Sequence, residues 1–595
     1  MNTFRRLLPY IRKHAIAFWA GMAAIFAARF FEAMIPMYVK EGIDGINDGQ
    51  AAIGDGVTQL AQALDSLTAP VIGIVVCVIG QMTLTIGARI LMRRIGMFTA
   101  YDLRNRLYQH LQRQGPAFFS DFSIGDLMAR SINDIQLVRQ ILAYTIRMTF
   151  ILLLTAVVGL VFMFSLSAEL TLAILLPLPF IGGVAFFFSK RVYRESFAVQ
   201  EGFSMLSTFV QENLNGIRTV QAMAQEPEET ARFARINQHY TTINKRLFVT
   251  TSLLGSLMPT LSAGCMLIII AYGSYLVQNG SITLGTLAAF FSYLTMVLWP
   301  VRDAGALVTQ WQRGASGTSR VFEILDHEPE IRDRPTAAYP ELTGEVEIQN
   351  LYYQYEGKDK YALENINLHV LPGETIAILG RIGSGKSTLL RLLARLLDPT
   401  RGEVLLNGHA IAEFPLAYLR EQVCLVLQDP FLFADSLGDN ITYDDPAREH
   451  DEIWESAEAA ALAETIEGFN DGLHTLLGER GVTLSGGQKQ RTALARGLIR
   501  MTPILILDDC FSAVDTETEE HILAGLKRIR AQETTLLVSH RVSTARHADR
   551  ILVLEEGRII EVGSHAELLE KGGFYADLEE AQRAMSRPVA TVPAT

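Results

Sequence analysis

The distribution of basic residues constrains this chain more than any other feature of its sequence. Neither Lys nor Arg occurs in three long stretches, residues 41–88, 148–189 and 247–301. A helix that crosses a bilayer needs about 20 mostly apolar residues, so the second and third stretches can each hold two spans joined by a short polar turn. The first stretch holds an acidic loop, between Glu41 and Asp65, and then one span, and another span precedes it at about 15–38. The sequence therefore predicts six membrane-spanning helices.

The basic residues between these stretches predict the orientation of the spans. They lie near the N-terminus, in 89–147 and in 190–246. Because cytoplasmic segments carry an excess of Lys and Arg, we expect a multi-pass protein of the cell (inner) membrane with both termini in the cytoplasm. The two basic segments read as helical, and helices of that length extend well beyond the bilayer as cytoplasmic stalks.

Polar residues inside the spans are candidates for a substrate path, because an ionisable group in hydrocarbon needs a partner or a cavity. Arg29 and Glu32 lie three residues apart on the first span and can pair. We interpret them as a structural ion pair, with a place on a substrate path as the alternative. The same alternatives, packing or lining a cavity, apply to further polar and aromatic residues: Gln81, Tyr272, Tyr275, Tyr293 and Trp299.

Beyond residue 320 the sequence alternates short apolar strands with charged helices, as in a soluble α/β domain. We predict an all-α membrane domain over 1–320, a linker over 321–345, an α/β domain over 346–582 and a disordered tail over 583–595. The net charge of -12 excludes a strongly basic nucleic-acid-binding protein, so no nucleic-acid partner is expected. The four cysteines, Cys77, Cys265, Cys424 and Cys510, lack the spacing of a metal site or a disulfide framework.

A glycine-rich turn between a buried strand and a helix predicts nucleotide binding. Residues 380–387 read Gly-Arg-Ile-Gly-Ser-Gly-Lys-Ser, the P-loop pattern. Glycines let the backbone N–H groups point at phosphate oxygens, and the helix N-terminus adds positive potential. Lys386 should reach the β and γ phosphates, and the Ser387 hydroxyl should bind Mg²⁺. The predicted nucleotide-binding residues are Gly380, Arg381, Ile382, Gly383, Ser384, Gly385, Lys386, Ser387 and Thr388.

Two further segments contain residues that can bind the metal ion or the phosphates of a nucleotide. The apolar strand 503–508 ends at Asp508, where a phosphate-bound Mg²⁺ needs a carboxylate. Between the P-loop and this strand, Ser485, Gly486, Gly487 and Gln488 stand at the start of a helix. Small residues at such a position offer N–H groups and a hydroxyl to an anion.

In this order the motifs resemble the ATP-binding cassette (ABC) proteins of the type I exporter kind, in which membrane and nucleotide domains share one chain. The resemblance covers essentially the whole chain and implies ATP and Mg²⁺ as cofactors. It implies that Gln428 takes part in catalysis and metal binding, His540 in catalysis, and Tyr355 and Asp515 in nucleotide binding. It also implies a dimer, because each ATP would lie between the P-loop of one chain and the 485–488 signature of the other.

One residue departs from the family pattern. Where these proteins normally carry a catalytic glutamate after the metal-binding aspartate, this chain has Asp509. A shorter side chain withdraws the carboxylate, and a misplacement of about 1 Å can cost on the order of 10²-fold in rate. We therefore predict a slow catalytic site. A heterodimer with a second half-transporter that retains the glutamate is favoured over a homodimer in which Asp509 works through a water or a shifted backbone.

The expected function is ATP-hydrolysis-driven export of a small amphipathic substrate, a drug or a lipid-like compound, across the lipid bilayer. One alternative is a lipid flippase that works as a homodimer, and another is an ATP-binding regulatory subunit with little hydrolysis of its own. A silent subunit would be expected to lose Lys386, Gln428 or His540, and this chain retains all three. The identity of the substrate is not encoded in any motif.

Overall fold

The computed structural model describes residues 2–51, 56–333 and 339–586. The chain divides into two compact units. The membrane unit comprises the residues up to Gln112 together with Phe122–His327. The cassette unit comprises Arg113–Asp121 together with the chain from Glu328 onward.

The membrane unit is all-α, as its composition predicts. Two π-helical segments, Arg130–Asp134 and Ile141–Thr145, interrupt its third span. Its α-helices, with the short α5 of the cassette unit placed in chain order, are α1 Asn2–Arg5, α2 Leu8–Lys13, α3 Ala15–Ala51, α4 Gly56–Leu111, α5 Pro116–Asp121, α6 Ile124–Ala129, α7 Ile135–Gln140, α8 Ile146–Leu166, α9 Ala168–Leu175, α10 Leu178–Asn215, α11 Ile217–Ala222, α12 Glu226–Gln278 and α13 Leu284–Asp326.

Six helical segments in the described part of the chain are long and apolar enough to cross a membrane, which confirms the predicted number. They are Ala15–Asp48, Asp65–Leu111, Ile124–Leu166, Ala168–Asn215, Glu226–Gln278 and Leu284–Asp326. The polar turns also lie where the sequence predicts them. The chain leaves the helical conformation at Ser167, and between the end of α12 and the start of α13.

The predicted acidic loop is wrong over most of its length, because α3 continues to Ala51 and α4 begins at Gly56. The reason is an interaction between helices. The Asp44 carboxylate accepts hydrogen bonds from the Gly285 N–H at 2.9 Å and the Thr283 hydroxyl at 2.8 Å. It thereby satisfies backbone groups at the start of α13, which no intrahelical carbonyl can reach. Residues 52–55, which include Asp55, lie outside the described residues.

The membrane unit extends beyond its predicted end at residue 320. Helix α13 continues to Asp326 because the chain keeps burying one face there, with Val321 and Ile324 both fully buried. The first part of the predicted linker is therefore helical. Residues 334–338 of that linker lie outside the described residues.

Three of the polar groups predicted within the spans have structural partners. Arg29 and Glu32 form a direct ion pair. Tyr293 is fully buried and donates a hydrogen bond to the carbonyl oxygen of Ala33 at 2.6 Å. This bond ties α13 to α3. A buried tyrosine hydroxyl with a backbone acceptor fits the packing alternative.

The cassette unit has the predicted α/β fold, built on two sheets. The smaller sheet is antiparallel with strand order β2-β1-β4-β5, and the larger has the order β10-β9-β3-β8-β7-β6, in which every pair except β10 with β9 is parallel. Its strands are β1 Val346–Tyr353, β2 Leu363–Val370, β3 Thr375–Leu379, β4 Arg401–Leu406, β5 His409–Ala410, β6 Val423–Val426, β7 Ile504–Asp508, β8 Thr534–Val538, β9 Arg550–Glu555 and β10 Arg558–Gly563.

The parallel strands form the centre of the cassette core. Every residue of β7 and β8 is buried, as expected for parallel strands that are covered on both faces. The covering helices and the helical subdomain that follows β6 are α14 Lys386–Leu393, α15 Leu416–Gln422, α16 Leu437–Ile441, α17 His450–Ala459, α18 Ala463–Glu467, α19 Gly486–Leu498, α20 Thr516–Ile529, α21 Val542–Ala545, α22 His565–Lys571 and α23 Phe574–Ser586.

Helix α23 corrects the predicted start of the disordered tail at residue 583. The helix continues to Ser586, and Arg583 pairs with Glu579 one turn earlier at 2.5 Å. Gln582, on the same turn, bonds to the backbone of a neighbouring loop. These contacts keep the chain helical past 583. Residues 587–595 lie outside the described residues.

Candidate active site

The candidate site lies at one edge of the larger sheet. Strands β3, β8, β7 and β6 are consecutive neighbours and run parallel. Their carboxyl ends therefore meet at the same edge, which is where open α/β sheets bind ligands. The predicted site segments follow these four strands: the P-loop follows β3, His540 follows β8, Asp508 and Asp509 end β7, and Gln428 follows β6.

These segments enclose one cavity of about 720 Å³. Arg381 and Ser384 line a smaller neighbouring cavity of about 360 Å³, together with Lys360 and Glu556. Most of the predicted residues line the larger cavity, namely Tyr355, Gly380, Ile382, Gly383, Gly385, Lys386, Ser387, Thr388, Gln428, Asp508, Asp509 and His540.

Two glycines of the P-loop are required by its backbone. Gly380 and Gly385 have φ values of 154° and 104°, in the region that favours glycine. A Cβ atom at Gly380 would lie 2.1 Å from the carbonyl oxygen of Leu554, and one at Gly385 would lie 2.7 Å from that of Ala362. The loop therefore curls tightly against its neighbours and leads directly into α14, whose N-terminus faces the cavity.

The positively charged ammonium group of Lys386 lies within the curled P-loop. Its Nζ donates to the carbonyl oxygens of Gly380 at 2.7 Å and Arg381 at 2.9 Å. Burial lowers the pKa of Lys386, while the nearby carboxylates of Asp509 and Asp508 act to raise it. An ammonium that is partly removed from water and fixed at a P-loop is well placed to bind phosphate oxygens.

Ser387 and Asp508 form a pair of oxygen donors beside the lysine. The Ser387 hydroxyl donates to Oδ1 of Asp508 at 3.1 Å. Asp508 is buried, and this burial raises the pKa of its carboxyl. Mg²⁺ prefers hard oxygen ligands and binds through one or two protein groups plus substrate phosphates. A hydroxyl and a carboxylate at this position fit such an ion.

Asp509 joins the other two predicted catalytic residues. Its Oδ2 accepts a hydrogen bond from Nε2 of Gln428 at 3.2 Å, and its Oδ1 lies 2.9 Å from Nδ1 of His540. The Asp509 side chain is 14% exposed, whereas that of His540 is 54% exposed. The structure thus brings the three predicted catalytic residues into direct contact, with both oxygens of Asp509 engaged.

The histidine loop is held by residues that the sequence motifs do not reveal. The side chain of Gln582, on α23, accepts a hydrogen bond from the Val542 N–H at 2.9 Å and donates one to the His540 carbonyl oxygen at 2.8 Å. Arg541 donates to Oε2 of buried Glu519 at 2.6 Å and to the Val514 carbonyl oxygen at 3.2 Å. Gln582 lies far from the histidine in sequence, so no local spacing could have identified it.

The predicted signature residues do not line the P-loop cavity of this chain. Ser485 caps α19, where its hydroxyl accepts from the Gln488 N–H at 3.3 Å and the Gln488 side chain accepts from the Ser485 N–H at 2.9 Å. Gly486 and Gly487 form the first turn of that helix. Asp515 similarly caps α20, accepting from the Thr518 N–H at 3.0 Å.

A second glutamine, also absent from the predicted site, links these two caps. Gln490 on α19 donates to the Ser512 hydroxyl at 2.8 Å and accepts from the Ala513 N–H at 2.9 Å. The signature turn and the segment before α20 therefore form one pre-built surface within the cassette.

Tyr355 lines the same cavity and lies beside the P-loop helix. Its hydroxyl is 3.0 Å from that of Thr388, and its ring packs edge-on against Tyr353 with centroids 4.9 Å apart. The ring is thereby fixed beside the P-loop, as the predicted role in nucleotide binding requires.

Comparison with known proteins agrees with this geometry. Residues 18–301 match the family model for the ABC transporter transmembrane region, and residues 363–512 match the one for the ABC transporter itself. An ATP-dependent lipid A-core flippase from Syntrophus aciditrophicus (strain SB) is 34% identical over 585 residues, which cover 98% of this chain and 95% of that protein. The chain belongs to the ABC transporter family.

A further relative and a solved structure are also similar to this ABC transporter, and the solved structure is that of an exporter. The uncharacterized ABC transporter ATP-binding protein YknU of Bacillus subtilis (strain 168) is 36% identical over 492 residues, 82% of this chain and 83% of that protein. The structure of a bacterial Atm1-family ABC exporter with ATP bound superimposes with a TM-score of 0.77 at 26% identity, covering 98% of this chain and 99% of that chain. The protein is a type I exporter half-transporter and an ATPase coupled to transport across a membrane.

Proposed function

We propose that this ABC exporter moves an amphipathic compound outward as one half of a heterodimer, in which its own P-loop serves a slow site. In this arrangement it lies in the cell (inner) membrane with both termini in the cytoplasm, as the basic stalks favour. The observation that carries the proposal is the short carboxylate of Asp509, which is already engaged by Gln428 and His540.

The P-loop half of the site would bind Mg-ATP. The backbone of 380–388 and the Lys386 ammonium would hold the phosphates, and the Tyr355 ring would stack on the adenine. Ser387, Asp508 and Gln428 would hold Mg²⁺. The ion neutralises charge that develops on the β and γ phosphate oxygens during phosphoryl transfer. Since burial raises the pKa of Asp508, a nearby cation would favour its ionised form.

The catalytic half of the site would be slow. Asp509 would have to orient the attacking water or accept its proton, which requires a contact of about 2.6–3.2 Å. Both of its oxygens already contact Gln428 or His540, and its side chain is one methylene shorter than glutamate. Each oxygen can still accept a second hydrogen bond, but the two contacts fix the position of the short carboxylate, so it cannot move toward a more distant water without losing one of them.

The intact signature surface supports a second role for this chain. Ser485, Gly486, Gly487, Gln488 and Asp515 lie on a pre-built surface away from the P-loop cavity of their own chain. They would complete the nucleotide site of a second half-transporter. If that partner carries a glutamate where this chain has Asp509, the pair has one fast and one slow site. A homodimer with two slow sites is the competing arrangement.

A cavity of about 480 Å³ in the membrane unit favours an amphipathic substrate. Its walls include Met258, Met266 and Phe291, and Trp299 contributes an indole. The hydroxyls of two polar lining residues donate to the backbone of their own helices, Ser262 to Met258 at 2.8 Å and Thr295 to Ser292 at 2.7 Å. The cavity thus offers mainly apolar contact with a few acceptor oxygens.

The test is uptake of a fluorescent amphiphile into inside-out vesicles that contain this chain with its candidate partner. We expect ATP-dependent accumulation that is lost when the partner is omitted and when Lys386→Met is introduced. Accumulation by this chain alone at the full rate would contradict the heterodimer, and no ATP-dependent accumulation under any combination would contradict export.

A further inference from the structure

A serine outside the predicted set of site residues lines the nucleotide cavity. Ser512 is one of the residues around the cavity of about 720 Å³. It follows Asp509 by three residues, and its backbone N–H lies 3.4 Å from the Asp509 carbonyl oxygen. Ser512 therefore lies on the side of the cavity where Asp509, Gln428 and His540 contact one another.

A buried glutamine fixes the direction of the Ser512 hydroxyl. Gln490 is 7% exposed, and its Oε1 accepts a hydrogen bond from the Ala513 N–H at 2.9 Å. Because the amide oxygen is used in this way, the amide nitrogen Nε2 faces Ser512 and donates to its Oγ at 2.8 Å. The Ser512 oxygen is thus the acceptor in this contact, and its own hydrogen must point elsewhere.

The hydroxyl hydrogen of Ser512 is free, in contrast to that of a second serine at the cavity. In the described part of the chain, the Ser512 hydroxyl donates to no protein group. Ser539 also lines the cavity, but it is only 2% exposed. Its hydroxyl donates to Oγ1 of Thr544 at 3.1 Å and accepts from the Arg541 N–H at 3.0 Å. Ser512 therefore offers a donor to a bound ligand, whereas the Ser539 hydroxyl is used within the protein.

The position of Ser512 indicates which part of a nucleotide its hydroxyl would meet. Hydrolysis requires a water to attack the γ-phosphorus, so the oxygens of that phosphate must lie beside the residues that act on the water. Asp509 is the candidate for this role, and Ser512 lies on the same side of the cavity. Phosphate oxygens are charged and form strong hydrogen bonds with donors. A free O–H group at this place suits the γ-phosphate.

We propose that the Ser512 hydroxyl donates a hydrogen bond to an oxygen of the γ-phosphate of ATP in this cavity, and that Gln490 orients the hydroxyl for this contact. Ser512 then contacts the substrate directly, and Gln490 is a positioning residue. The inference rests on the proposed binding of Mg-ATP to the P-loop half of the site. It adds a means of distinguishing ATP from ADP, because ADP lacks the γ-phosphate.

The test compares the affinities of the full-length protein in nanodiscs for two nucleotides in the presence of Mg²⁺. They are ADP and the non-hydrolysable ATP analogue AMP-PNP, and each displaces the same fluorescent ADP analogue. We expect Ser512→Ala to weaken AMP-PNP binding about tenfold, as the loss of one charge-assisted hydrogen bond predicts. Binding of ADP should stay unchanged, which also shows that the variant is folded. Ser512→Thr keeps the hydroxyl and should retain most of the native preference for AMP-PNP.

Gln490→Glu tests the direction of the hydrogen bond. A glutamate keeps an acceptor for the Ala513 N–H, but it presents a second acceptor where the amide nitrogen of Gln490 donates to Ser512. The Ser512 hydroxyl should then donate to this carboxylate and be lost to the ligand, so Gln490→Glu should reproduce the weaker AMP-PNP binding of Ser512→Ala. The double variant controls for the added charge, because it should bind AMP-PNP as Ser512→Ala alone does.

An unchanged ratio of the two affinities in Ser512→Ala, or an equal loss for both nucleotides, would overturn the proposal. A further loss of AMP-PNP binding in the double variant would show that Gln490→Glu acts through its charge, and the positioning role of Gln490 would be wrong. Failure of the proposed function looks different. If the native chain binds neither nucleotide, the proposed Mg-ATP site is wrong and this inference falls with it, whereas binding that Ser512→Ala leaves unaffected removes this inference alone.

Discussion

The nucleotide site of the cassette and the surroundings of Arg147 in the membrane unit hold buried charge in different ways. In the cassette, Lys386 and Asp509 each contact two groups of the same chain. In the membrane unit, Arg147 is more deeply buried than Lys386 or Asp509 and has no described counter-charge. The P-loop half of a nucleotide site is built within one chain from short motifs, so it can serve many transporters unchanged. The membrane unit contains the cavity of about 480 Å³, so we expect the specificity of this exporter to reside there.

The largest expected effect is at the P-loop of the cassette. Lys386→Met removes the one ammonium that is fixed in the P-loop, and losing such a donor to a transferring phosphoryl group costs on the order of 10²-fold or more in rate. The measurement is ATP turnover at this chain's own site, with Asp509→Glu present in both variants, because the slow native site should contribute little to the turnover of an assembled heterodimer. Lys360→Met is the control, because Lys360 is an exposed lysine paired with Glu556 at 3.3 Å. Equal rates for the two variants would show that the P-loop charge is dispensable.

A smaller effect is expected at the C-terminal helix. Gln582→Ala removes both hydrogen bonds that fix the backbone on either side of the histidine loop, so the His540 ring should lose its alignment with Asp509. We expect roughly a tenfold lower kcat for ATP hydrolysis at this chain's own site, with little change in the KM for ATP. The variant should lose the positioning of His540 and retain nucleotide binding. Exposed Glu580 provides the control Glu580→Ala. A rise in KM without a change in kcat would indicate a role in nucleotide binding instead.

The smallest effect concerns the contact between α3 and the start of α13. Asp44→Ala removes the acceptor for the Gly285 N–H, and loss of such a cap costs about 1 kcal/mol. The thermal midpoint of the full-length protein should fall by about 2 °C, whereas exposed Asp48 on the same helix should be neutral in Asp48→Ala. An unchanged midpoint for Asp44→Ala would show that this cap does not hold α3 against α13.

The sequence predicts the cassette well because its chemistry lies in short, contiguous motifs. Gly380 and Lys386 follow β3, Asp508 ends β7 and His540 follows β8. Neighbouring parallel strands place their carboxyl ends at one edge of the sheet, so these residues meet there. Gln582 was missed for the converse reason. Its contact depends on how α23 packs against the histidine loop, and the sequence near His540 does not indicate that packing.

The membrane unit is predictable only at a coarser level. Hydropathy and the basic residues give six spans because the bilayer imposes length and charge on each of them. The prediction of an acidic loop was wrong because Asp44 accepts a hydrogen bond from the start of α13, more than two hundred residues away in the sequence. Arg147 appears in the sequence as one basic stalk residue among many, and only packing reveals that it is buried without a partner.

The central claim, a slow site at Asp509, is tested most directly by steady-state ATP hydrolysis of the purified chain alone in nanodiscs, beside Asp509→Glu. We predict that the native chain is nearly silent and that Asp509→Glu gains one to two orders of magnitude, roughly the cost of a 1 Å misplacement. An ordinary rate in the native chain that Asp509→Glu leaves unchanged would contradict the account. Asp509 would then be competent, and the homodimer would be the working unit.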